Sequence, residues 1–548
     1  MIITDQRREI DITTVLKYLQ QSKELDNGGF TVRCLLIVAT AAILALKVYL
    51  LLFVMDFVLG IYSFFSSFLL LNILIFAYLK YRDPYYDSQL NDTRISGKNS
   101  PLFSLVVPVK NEEEDIRYCV ESCLNQTYEN KEIIVINDGS TDSTPKILDS
   151  IRRENSHVKN FYILHLSKSV GKKKAVEAAS QIAKGDIYAF MDSDCAMALD
   201  AVEKAAKIFM SDKRLGALTG HVIVRDASKG NIFEKMQAVY TDASCRIFKG
   251  AETTFASVTC CSGALSFYRR ESVQDFIHEW AHDKFLGMDF KFCTDRRMTA
   301  HVLSTGPRRP QQRNDDVAAA ADYADRGRIP REATILNSST NAFTHAGQIQ
   351  DIYRRRSSPL AYSDNGDNES FNSTSPSQSV PFRPGDSDRI HSSDSSRSPP
   401  VEFFWNVKYS YGIKVYVVVP RTLNSLVQQQ IRWKKSFIRS LSTTGGTYWK
   451  RPAYIALLYY ITTAMKFVRP YVVFHAVFML PFVGDSISTL LWFAGILFTS
   501  MIYGVDYKLR NPGSKLWLYR PAFTLLTTFV YTWLLPVAMI NIRSKSWR

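Results

Sequence analysis

Four polar motifs follow one another along the chain, and their residue types could act together in one reaction. They are, in order, Asn137-Asp138-Gly139-Ser140, Asp192-Ser193-Asp194, Asp295-Arg296-Arg297-Met298-Thr299 and Gln429-Gln430-Ile431-Arg432-Trp433. An acidic pair after a buried strand suits a hard cation that carries a diphosphate, and a later single carboxylate suits a general base. A cluster of Gln, Arg and Trp suits a sugar chain. With apolar segments of membrane length on both sides, the set predicts a sugar polymerase embedded in a membrane.

The strands that must position these motifs are indicated by apolar runs. Phe103–Pro108 and Glu132–Ile136 each look like a buried strand followed by a helix, and two such units in succession predict a parallel sheet. Ligands of such sheets bind at the carboxyl ends of the strands, where Asn111, Glu112 and Asp138 fall.

A cluster of three lysines follows the third apolar run, Asn160–Leu164, at the start of a predicted helix. The sequence there reads Ser169-Val170-Gly171-Lys172-Lys173-Lys174. Positive charge at a helix N-terminus after a glycine can hold phosphate oxygens. A solvated charge run is the alternative interpretation of this segment.

The fourth run, Asp186–Met191, is followed directly by Asp192 and Asp194. Because alternate residues of an extended segment point to the same side, both carboxylates can face one cation. Mg²⁺ or Mn²⁺, bound by few carboxylates and by diphosphate oxygens, fits this pair. A lone pair of this kind is a weak signal, and Asp138 and the lysine cluster upstream strengthen it.

The apolar residues are abundant and clustered. They make up 46% of the 548 residues, which is high for a purely soluble protein. Cys34–Met55 and Phe57–Tyr78 are each long enough to cross a hydrocarbon core of about 30 Å, and they predict a helical hairpin. A single cleaved signal peptide is the alternative, but its apolar region would be shorter than these runs.

Further apolar stretches follow the last motif, at Ala453–Gly484, Ser486–Tyr503 and Pro521–Ile542. Lys466 and Arg469 interrupt the first stretch, which favours an interfacial helix leading into a span over a single span. The number of spans therefore stays open. Basic residues near the ends of the apolar segments place the central domain and the C-terminus in the cytoplasm.

The formal net charge of +15 could indicate a nucleic-acid partner. No helix-turn-helix, zinc-finger or RNA-binding aromatic pattern accompanies it, so we expect no nucleic acid. Anionic membrane lipid and an anionic nucleotide-sugar explain the charge better. The eight cysteines show no CxxC pairing and are expected to be buried, reduced thiols.

Taken together, these motifs resemble those of the family 2 inverting glycosyltransferases that are fused to membrane helices, and among them they are most similar to hyaluronan synthases. The resemblance implies an α/β nucleotide-sugar-binding domain of the GT-A, Rossmann-like type, flanked by transmembrane and interfacial helices. In this family an aspartate of the DGS-like turn contacts uracil, which matches Asp138. The family DxD binds metal and diphosphate, which matches Asp192 and Asp194.

Two further segments carry the resemblance to the subfamily. Thr219-Gly220-His221 through Arg225 looks like the hyaluronan synthase pattern TGH…R, and Cys261 to Glu271 looks like CSGPLSxYRRE. Within the second segment, Ser262 and Gly263 allow a close approach of the backbone to the substrate.

The family's Gly-Lys-Arg element matches Gly171 and the two lysines after it, which implies substrate contacts for Lys172 and Lys173. The family's GDDRxLT motif is similar to the segment around Asp295, which the resemblance makes the general base. This sequence departs from the motif, because Cys293-Thr294 stands where the family has Gly-Asp.

The last motif matches QxxRW, which in the family borders the acceptor at the channel mouth. Trp433 offers an apolar face to a sugar ring, Arg432 can pair with the diphosphate as it leaves, and Gln429 completes the motif. An amphipathic helix with Trp and Arg at a membrane interface is the alternative.

Between the base and QxxRW lies a segment rich in Ser, Asp, Arg and Pro whose composition cannot bury a core. We expect it to be a disordered insertion, either regulatory or an error in the sequence. The predicted divisions are 1–30, an N-terminal cytoplasmic segment; 31–80, a transmembrane hairpin; 100–305, a GT-A glycosyltransferase domain; 306–400, the insertion; 401–450, the end of the catalytic domain with the QxxRW helix; and 451–548, the C-terminal membrane helices.

The resemblance implies a processive, inverting synthase that polymerises hyaluronan from UDP-GlcNAc and UDP-glucuronate and moves the growing polysaccharide across the cell membrane. A chitin or chitooligosaccharide synthase that uses UDP-GlcNAc alone is the first alternative. A catalytically silent membrane scaffold is the second, motivated by Thr294 and the insertion. Retention of the motif residues argues against the scaffold, since a silent protein has no chemical need for them.

Overall fold

The computed structural model describes residues 29–85, 100–307, 333–337, 340–345 and 404–543. Its strands are β1 (Phe103–Val109), β2 (Lys131–Asn137), β3 (Phe161–Leu166), β4 (Ile187–Met191), β5 (Cys195–Met197), β6 (Leu215–Val224), β7 (Leu265–Arg269), β8 (Lys284–Phe285), β9 (Met288–Asp289), β10 (Ala333–Asn337), β11 (Thr340–His345) and β12 (Asn406–Val417).

The α-helices are α1 (Gly29–Phe53), α2 (Phe57–Ile75), α3 (Ile116–Leu124), α4 (Thr144–Glu154), α5 (Lys172–Ile182), α6 (Ala201–Ser211), α7 (Ile232–Ala243), α8 (Gly250–Thr253), α9 (Arg270–Val273), α10 (Ile277–Ala281), α11 (Thr294–Ser304), α12 (Leu423–Leu441), α13 (Thr444–Thr447), α14 (Ala453–Phe474), α15 (Leu480–Phe482), α16 (Ser486–Arg510), α17 (Arg520–Leu526) and α18 (Leu534–Ile540). π-helical turns extend α2 to Lys80, α7 to Lys249 and α14 to Met479, and join α17 towards α18.

The main sheet has the order β11-β10-β3-β2-β1-β4-β7-β6-β12-β5 among the described residues. The four strands β3, β2, β1 and β4 pair in parallel, as the sequence predicted. All seven residues of β1 are buried, because helices cover both faces of the sheet, and a strand buried on both faces reads as one continuous apolar run. β7 then pairs antiparallel with β4 and with β6, so the sheet is mixed.

Two strands lie inside the segment for which we expected disorder. β10 pairs antiparallel with β3 at the edge of the sheet, and β11 pairs antiparallel with β10. The sequence did not indicate this hairpin, since its composition there shows no strand-like apolar alternation. The rest of the predicted insertion, apart from residues 306, 307, 333–337 and 340–345, lies outside the described residues.

Four of the described helical segments are long and apolar enough to cross a membrane: Phe30–Phe53, Phe57–Lys80, Ser486–Arg510 and Leu516–Ile540. The first two form the predicted hairpin, in which Asp56 caps the second helix by accepting a hydrogen bond from the Leu59 amide (3.0 Å). α14, which carries Lys466 and Arg469, is not among the four.

Asp83, just after the first membrane hairpin, ties that hairpin to the sheet. Its carboxylate accepts hydrogen bonds from the Ser410 hydroxyl (2.7 Å) and from the Gly412 amide (3.0 Å) in β12. Burial raises the pKa of this carboxyl group, and the surrounding donors oppose the rise. The hairpin and the main sheet are therefore joined by partly buried hydrogen bonds.

Candidate active site

One cavity of about 1500 Å³ extends from the carboxyl ends of the parallel strands to the C-terminal helices. At its sheet end it is lined by residues of the loops after β1, β2, β3 and β4. At its other end it is lined by α12, α14, α17 and α18, and by Ile73 and Phe76 of the apolar segment Phe57–Lys80. The motif residues in the lining are Asp138, Lys172, Asp192, Asp194, Ser262, Gly263, Asp295, Gln429, Arg432 and Trp433.

The turn after β2 is built around Asp138 and Gly139. Gly139 has φ +60°, and a Cβ there would lie 2.6 Å from the Ser169 amide nitrogen, so only glycine fits without a shift. The Asp138 carboxylate accepts hydrogen bonds from the Ser169 hydroxyl (2.9 Å) and from the Val170 amide (2.6 Å). Asp138 thus holds the loop that precedes α5, in addition to lining the cavity.

The acidic pair after β4 converges as predicted. Possible ligand atoms of Asp192, Asp194 and Cys195 all lie within 4.8 Å of one another. Burial and the neighbouring Asp192 raise the pKa of Asp194, because two carboxylates repel at this separation. The Lys172 ammonium forms an ion pair with Asp192.

This donor set fits a hard divalent cation. The two carboxylates supply the oxygen ligands that Mg²⁺ and Mn²⁺ prefer, and a cation between them would relieve their repulsion. Cys195 fits less well, because burial and the two acids raise the pKa of its thiol well above the usual value. Gly263 approaches the pair so closely that a Cβ at this position would lie 3.2 Å from Asp192 Oδ2.

Glu112, at the end of β1, belongs to the same acidic group. Burial, followed by the charges of Asp194 and three other aspartates, raises the pKa of Glu112 to about 7. The sequence placed this residue at the binding edge of the sheet without assigning it a role.

Two threonines hold the segment that contains Ser262 and Gly263. The Thr219 hydroxyl accepts a hydrogen bond from the Ser262 amide, and the Thr299 hydroxyl accepts one from the Cys261 amide, both at 3.0 Å. Thr219 comes from the TGH segment and Thr299 from the helix of the expected base. Three sequence motifs are thereby fixed to one another, a role for the threonines that sequence reasoning missed.

Asp295 lies in the first turn of α11, where the helix dipole favours a carboxylate. Its Oδ2 is 3.4 Å from Cys260 Sγ, and its Oδ1 accepts a hydrogen bond from the Arg296 amide (2.9 Å). Cys293 precedes the helix with φ +64°, in the left-handed region that favours glycine. This conformation gives a physical reason for the glycine that the resembled family has at this position, and here a cysteine adopts it.

The QxxRW residues lie on α12. The Trp433 side chain is 47% exposed, so its ring is available to a ligand in the cavity. The Gln429 side-chain oxygen is buried and has no hydrogen-bond partner among the described residues. Arg432 is half-buried and lines the same cavity. The Gln429 oxygen can therefore accept a hydrogen bond from a molecule in the cavity.

The structure does not bring Lys173 to the cavity, so the prediction that it contacts the substrate is not supported by its position. Its ammonium is buried beside Asp283 (3.3 Å) and donates a hydrogen bond to the Phe290 carbonyl (2.9 Å). Consecutive residues of a helix point about 100° apart, so Lys172 can face the cavity while Lys173 faces the core.

Sequence reasoning also missed a group of cations, here called the basic wall, on the helices α11, α12, α14 and α17 that line the cavity. Its members are Arg296, Lys434, Lys466, Arg469 and Arg520. None of them forms an ion pair with a carboxylate among the described residues. The charges of Asp295 and Glu252 still act on Arg296, although both carboxylates lie too far away to form an ion pair with it.

The basic wall is partly desolvated. Burial, together with the charges of Arg469 and Arg296, lowers the pKa of Lys434 to about 8. Two guanidinium nitrogens of Arg520 are buried without a hydrogen-bond partner in the described part of the chain. Buried cations without anionic partners are costly, so this end of the cavity favours an occupant with negative charge.

Comparison with known proteins agrees with this architecture. Residues 104–277 match the family model described as Glycosyl transferase family 2. An N-acetylglucosaminyltransferase of Bradyrhizobium diazoefficiens is 28% identical over 228 residues, which are 41% of this chain and 46% of the relative. A hyaluronan synthase of Streptococcus pyogenes is 28% identical over 204 residues, 37% of this chain and 48% of the relative. The chain thus spans about half the length of the curated relatives it matches.

Two solved structures align with parts of this chain. A mannosyltransferase of Pyrobaculum calidifontis, in complex with GDP-Man and Mn²⁺, aligns over 89% of this chain and 99% of its own, with 13% identity and a TM-score of 0.46. TarS 1–349 of S. aureus, in complex with UDP-GlcNAc, aligns over 36% of this chain and 52% of its own, with 20% identity and a TM-score of 0.26. From the family match and the curated relatives, the chain carries a family 2 glycosyltransferase domain.

Proposed function

We propose that this family 2 glycosyltransferase is a processive, inverting synthase that polymerises hyaluronan from UDP-GlcNAc and UDP-glucuronate and moves the chain across the cell membrane. The observation that carries the proposal is the single cavity that contains the acidic pair, Asp295 and the QxxRW residues and continues to the membrane helices. In a processive polymerase, the reaction site and the exit path of the product must be connected.

The donor would bind at the sheet end. The loop held by Asp138 and the Lys172 ammonium border the space for the nucleotide and the diphosphate. Mg²⁺ or Mn²⁺ held by Asp192 and Asp194 would supply positive charge to the diphosphate as the bond to the sugar breaks. Lys172 would exchange its ion pair with Asp192 for the phosphate oxygens of the donor.

The acceptor would bind between Asp295 and α12. Asp295 removes the proton from the acceptor hydroxyl, the hydroxyl oxygen forms a bond to the anomeric carbon, and the bond from that carbon to the diphosphate breaks. Attack from the side opposite the leaving group inverts the configuration. Trp433 would stack on the acceptor ring, Gln429 would accept a hydrogen bond from a sugar hydroxyl, and Arg432 would stabilise the leaving diphosphate.

The basic wall supports an acidic product. A polymer with a carboxylate on every second sugar would neutralise cations that have no ion-pair partner among the described residues. A neutral polymer would leave these partly desolvated cations without an anionic partner. This charge supports UDP-glucuronate as the second donor.

The membrane arrangement is part of the proposal. Four helical segments with the length and composition of spans would place the protein in the membrane as a multi-pass protein, in contact with lipid. Basic residues near their ends support a cytoplasmic catalytic domain, where nucleotide-sugars are made.

A chitin or chitooligosaccharide synthase is the second candidate. It is favoured by relatives named N-acetylglucosaminyltransferase, which are as similar to this chain as the hyaluronan synthases are. Such an enzyme would use the same base and the same acidic pair, and would differ in needing UDP-GlcNAc alone.

The test is to incubate purified protein with UDP-GlcNAc, with and without UDP-glucuronate, and to digest the product with hyaluronidase and with chitinase. We expect a high-mass product that needs both donors and is cleaved by hyaluronidase. A high-mass, chitinase-sensitive product from UDP-GlcNAc alone would establish the second candidate, and absence of any transfer would contradict both.

A further inference from the structure

Three side chains that are outside the catalytic cavity converge on the outer surface of the catalytic domain. Glu177 of α5 lies 2.6 Å from His278 Nδ1, and His282 Nδ1 lies 3.7 Å from the same carboxylate. The two imidazole ring centroids are 4.4 Å apart. One possible ligand atom from each residue lies within 4.8 Å of the others.

The spacing of the histidines has its own chemical meaning. Residues 278–282 read His-Glu-Trp-Ala-His, which is the HExxH spacing that presents two imidazoles on one face of a helix to zinc. Here α10 provides the helical turn, and the His282 amide closes it by donating to the His278 carbonyl (3.1 Å). Trp280 is buried and donates its indole N–H to the Thr294 carbonyl (2.8 Å), so both histidines are held on the outward side.

Glu279, the second residue of the pattern, does not take part in this group. Its carboxylate forms an ion pair with Arg297 (2.7 Å), so it is turned away from the place where it could activate a water molecule. The third side chain of the group is instead Glu177, which lies on a different helix. The arrangement therefore suits binding of a cation and not hydrolysis.

We propose that Glu177, His278 and His282 form a binding site for Zn²⁺, separate from the acidic pair of the active site. Two imidazoles and one carboxylate are ligands that Zn²⁺ takes in tetrahedral sites, with a water molecule in the fourth position. A plain ion pair explains the convergence less well, because one histidine is enough to pair with the Glu177 carboxylate and a second is not needed.

The site connects two parts of the catalytic domain. α5 begins with Lys172 at the active site, and His282 is followed directly by Asp283, whose carboxylate is paired with Lys173 and with Arg439 (2.6 Å). A cation bound at the site would fasten α5 to the segment that leads to α11 and Asp295. Zn²⁺ should therefore raise the thermal unfolding midpoint of the full-length protein.

The test is equilibrium dialysis of the purified full-length protein against Zn²⁺, with saturating Mg²⁺ and UDP to occupy the active site. His278→Ala, His282→Ala and Glu177→Gln should each weaken binding at this site by about tenfold or more, because each removes one of three ligands. His157→Ala, which changes an exposed histidine elsewhere, is the matched control and should bind like the unchanged protein. Equal Zn²⁺ binding in both histidine variants and the unchanged protein would overturn the proposal.

A second measurement needs no variant. Zn²⁺ should protect His278 and His282, but not His157, from carbethoxylation by diethyl pyrocarbonate. The modification of each histidine is measured by mass spectrometry of peptides from the unchanged protein. Equal modification of all three histidines with and without Zn²⁺ would overturn the site regardless of how the variants fold.

Discussion

The two ends of the cavity are built differently. At the sheet end, polar groups are held by the protein itself: Asp138 accepts hydrogen bonds from its neighbouring loop, and Thr219 and Thr299 fix the segment around Ser262. At the helical end, the basic wall has no carboxylate ion pairs among the described residues, and the Gln429 oxygen has no partner there.

The sheet end can hold a ligand in a fixed geometry, whereas the helical end offers positive charge to an anionic ligand. A donor must be held in one orientation for reaction, so preorganised loops at the ends of rigid strands suit it. A moving polymer must not be held in one place, so side chains on helices that attract its charge without a tight fit suit it better. Substitutions at the two ends should therefore have separable effects.

Asp295→Asn should lower the rate of polymer formation by about 10²- to 10⁴-fold, the usual contribution of a general base. UDP binding should stay within a few fold, because the base acts on the acceptor. Asp289→Asn, at an exposed aspartate outside the cavity, is the control and should keep its activity. If Asp295→Asn turned over nearly as fast as the control, Asp295 would not be the general base.

Asp194→Ala should lower activity by about 100-fold and abolish stimulation by Mg²⁺ or Mn²⁺, because a metal contributes several kcal/mol to stabilising a leaving diphosphate. The measurement is the rate of UDP release during a metal titration, with Glu129→Ala at an exposed position as the control. Full activity of Asp194→Ala in the presence of a chelator would contradict the metal role.

Lys466→Met tests the helical end, since it removes one charge of the basic wall and leaves an unbranched side chain of similar length. Polymer formation from both donors should fall by about tenfold, which corresponds to about 1.4 kcal/mol. UDP release from UDP-GlcNAc alone should change little. Lys515→Met, at an exposed lysine outside the cavity, is the control. Equal loss of both activities would show that the basic wall does not act on the product.

The basic wall should also set the alkaline limit of polymerisation. Burial lowers the pKa of Lys434 to about 8, so Lys434 is charged below this pH and neutral above it. Attraction for an acidic chain should therefore be present below pH 8 and be lost as the pH rises through it. Lys434→Arg should move the alkaline limb of the pH–rate profile upward, while Lys213→Arg, at an exposed site, should not. If the alkaline limb of Lys434→Arg were unchanged, Lys434 would not be the group that sets the alkaline limit of polymerisation.

Replacement of residues 306–400 by a short Gly/Ser linker should have the smallest effect and keep at least some activity. The ends of the segment are close, since the Trp405 amide donates a hydrogen bond to the Thr305 carbonyl (2.9 Å). The deletion also removes β10 and β11, which pair only at the edge of the sheet. Membrane extraction and size-exclusion chromatography would check folding, and loss of folded protein would show that the segment is structural.

Much of the sheet end could be predicted from the sequence. Strands buried on both faces appear as continuous apolar runs, and the residues after them lie at one edge of the sheet by topology alone, as Asp138 and Asp192 do. α12 could be predicted because its motif lies on an amphipathic helix. The hairpin of the first two membrane helices follows from length and hydropathy.

Other features depend on packing that no local pattern encodes. In the sequence, Lys466 and Arg469 are only interruptions of an apolar stretch. The fold places them in the lining of one cavity with Arg296, Lys434 and Arg520. Lys173 was assigned with Lys172 because neighbours in sequence cannot be told apart without the orientation of the helix. The group formed by Glu177 and His278 joins residues far apart in sequence, although the His-x-x-x-His spacing was a usable signal.

In the proposed mechanism, one cavity serves both the reaction and the passage of an acidic chain across the membrane. The most direct test reconstitutes the protein in sealed liposomes and supplies both donors only on the side of the catalytic domain. We predict a polymer inside the vesicles that resists added hyaluronidase until detergent opens them. A polymer that is digested on the donor side without detergent, or one that forms from UDP-GlcNAc alone and is cleaved by chitinase, would contradict the account.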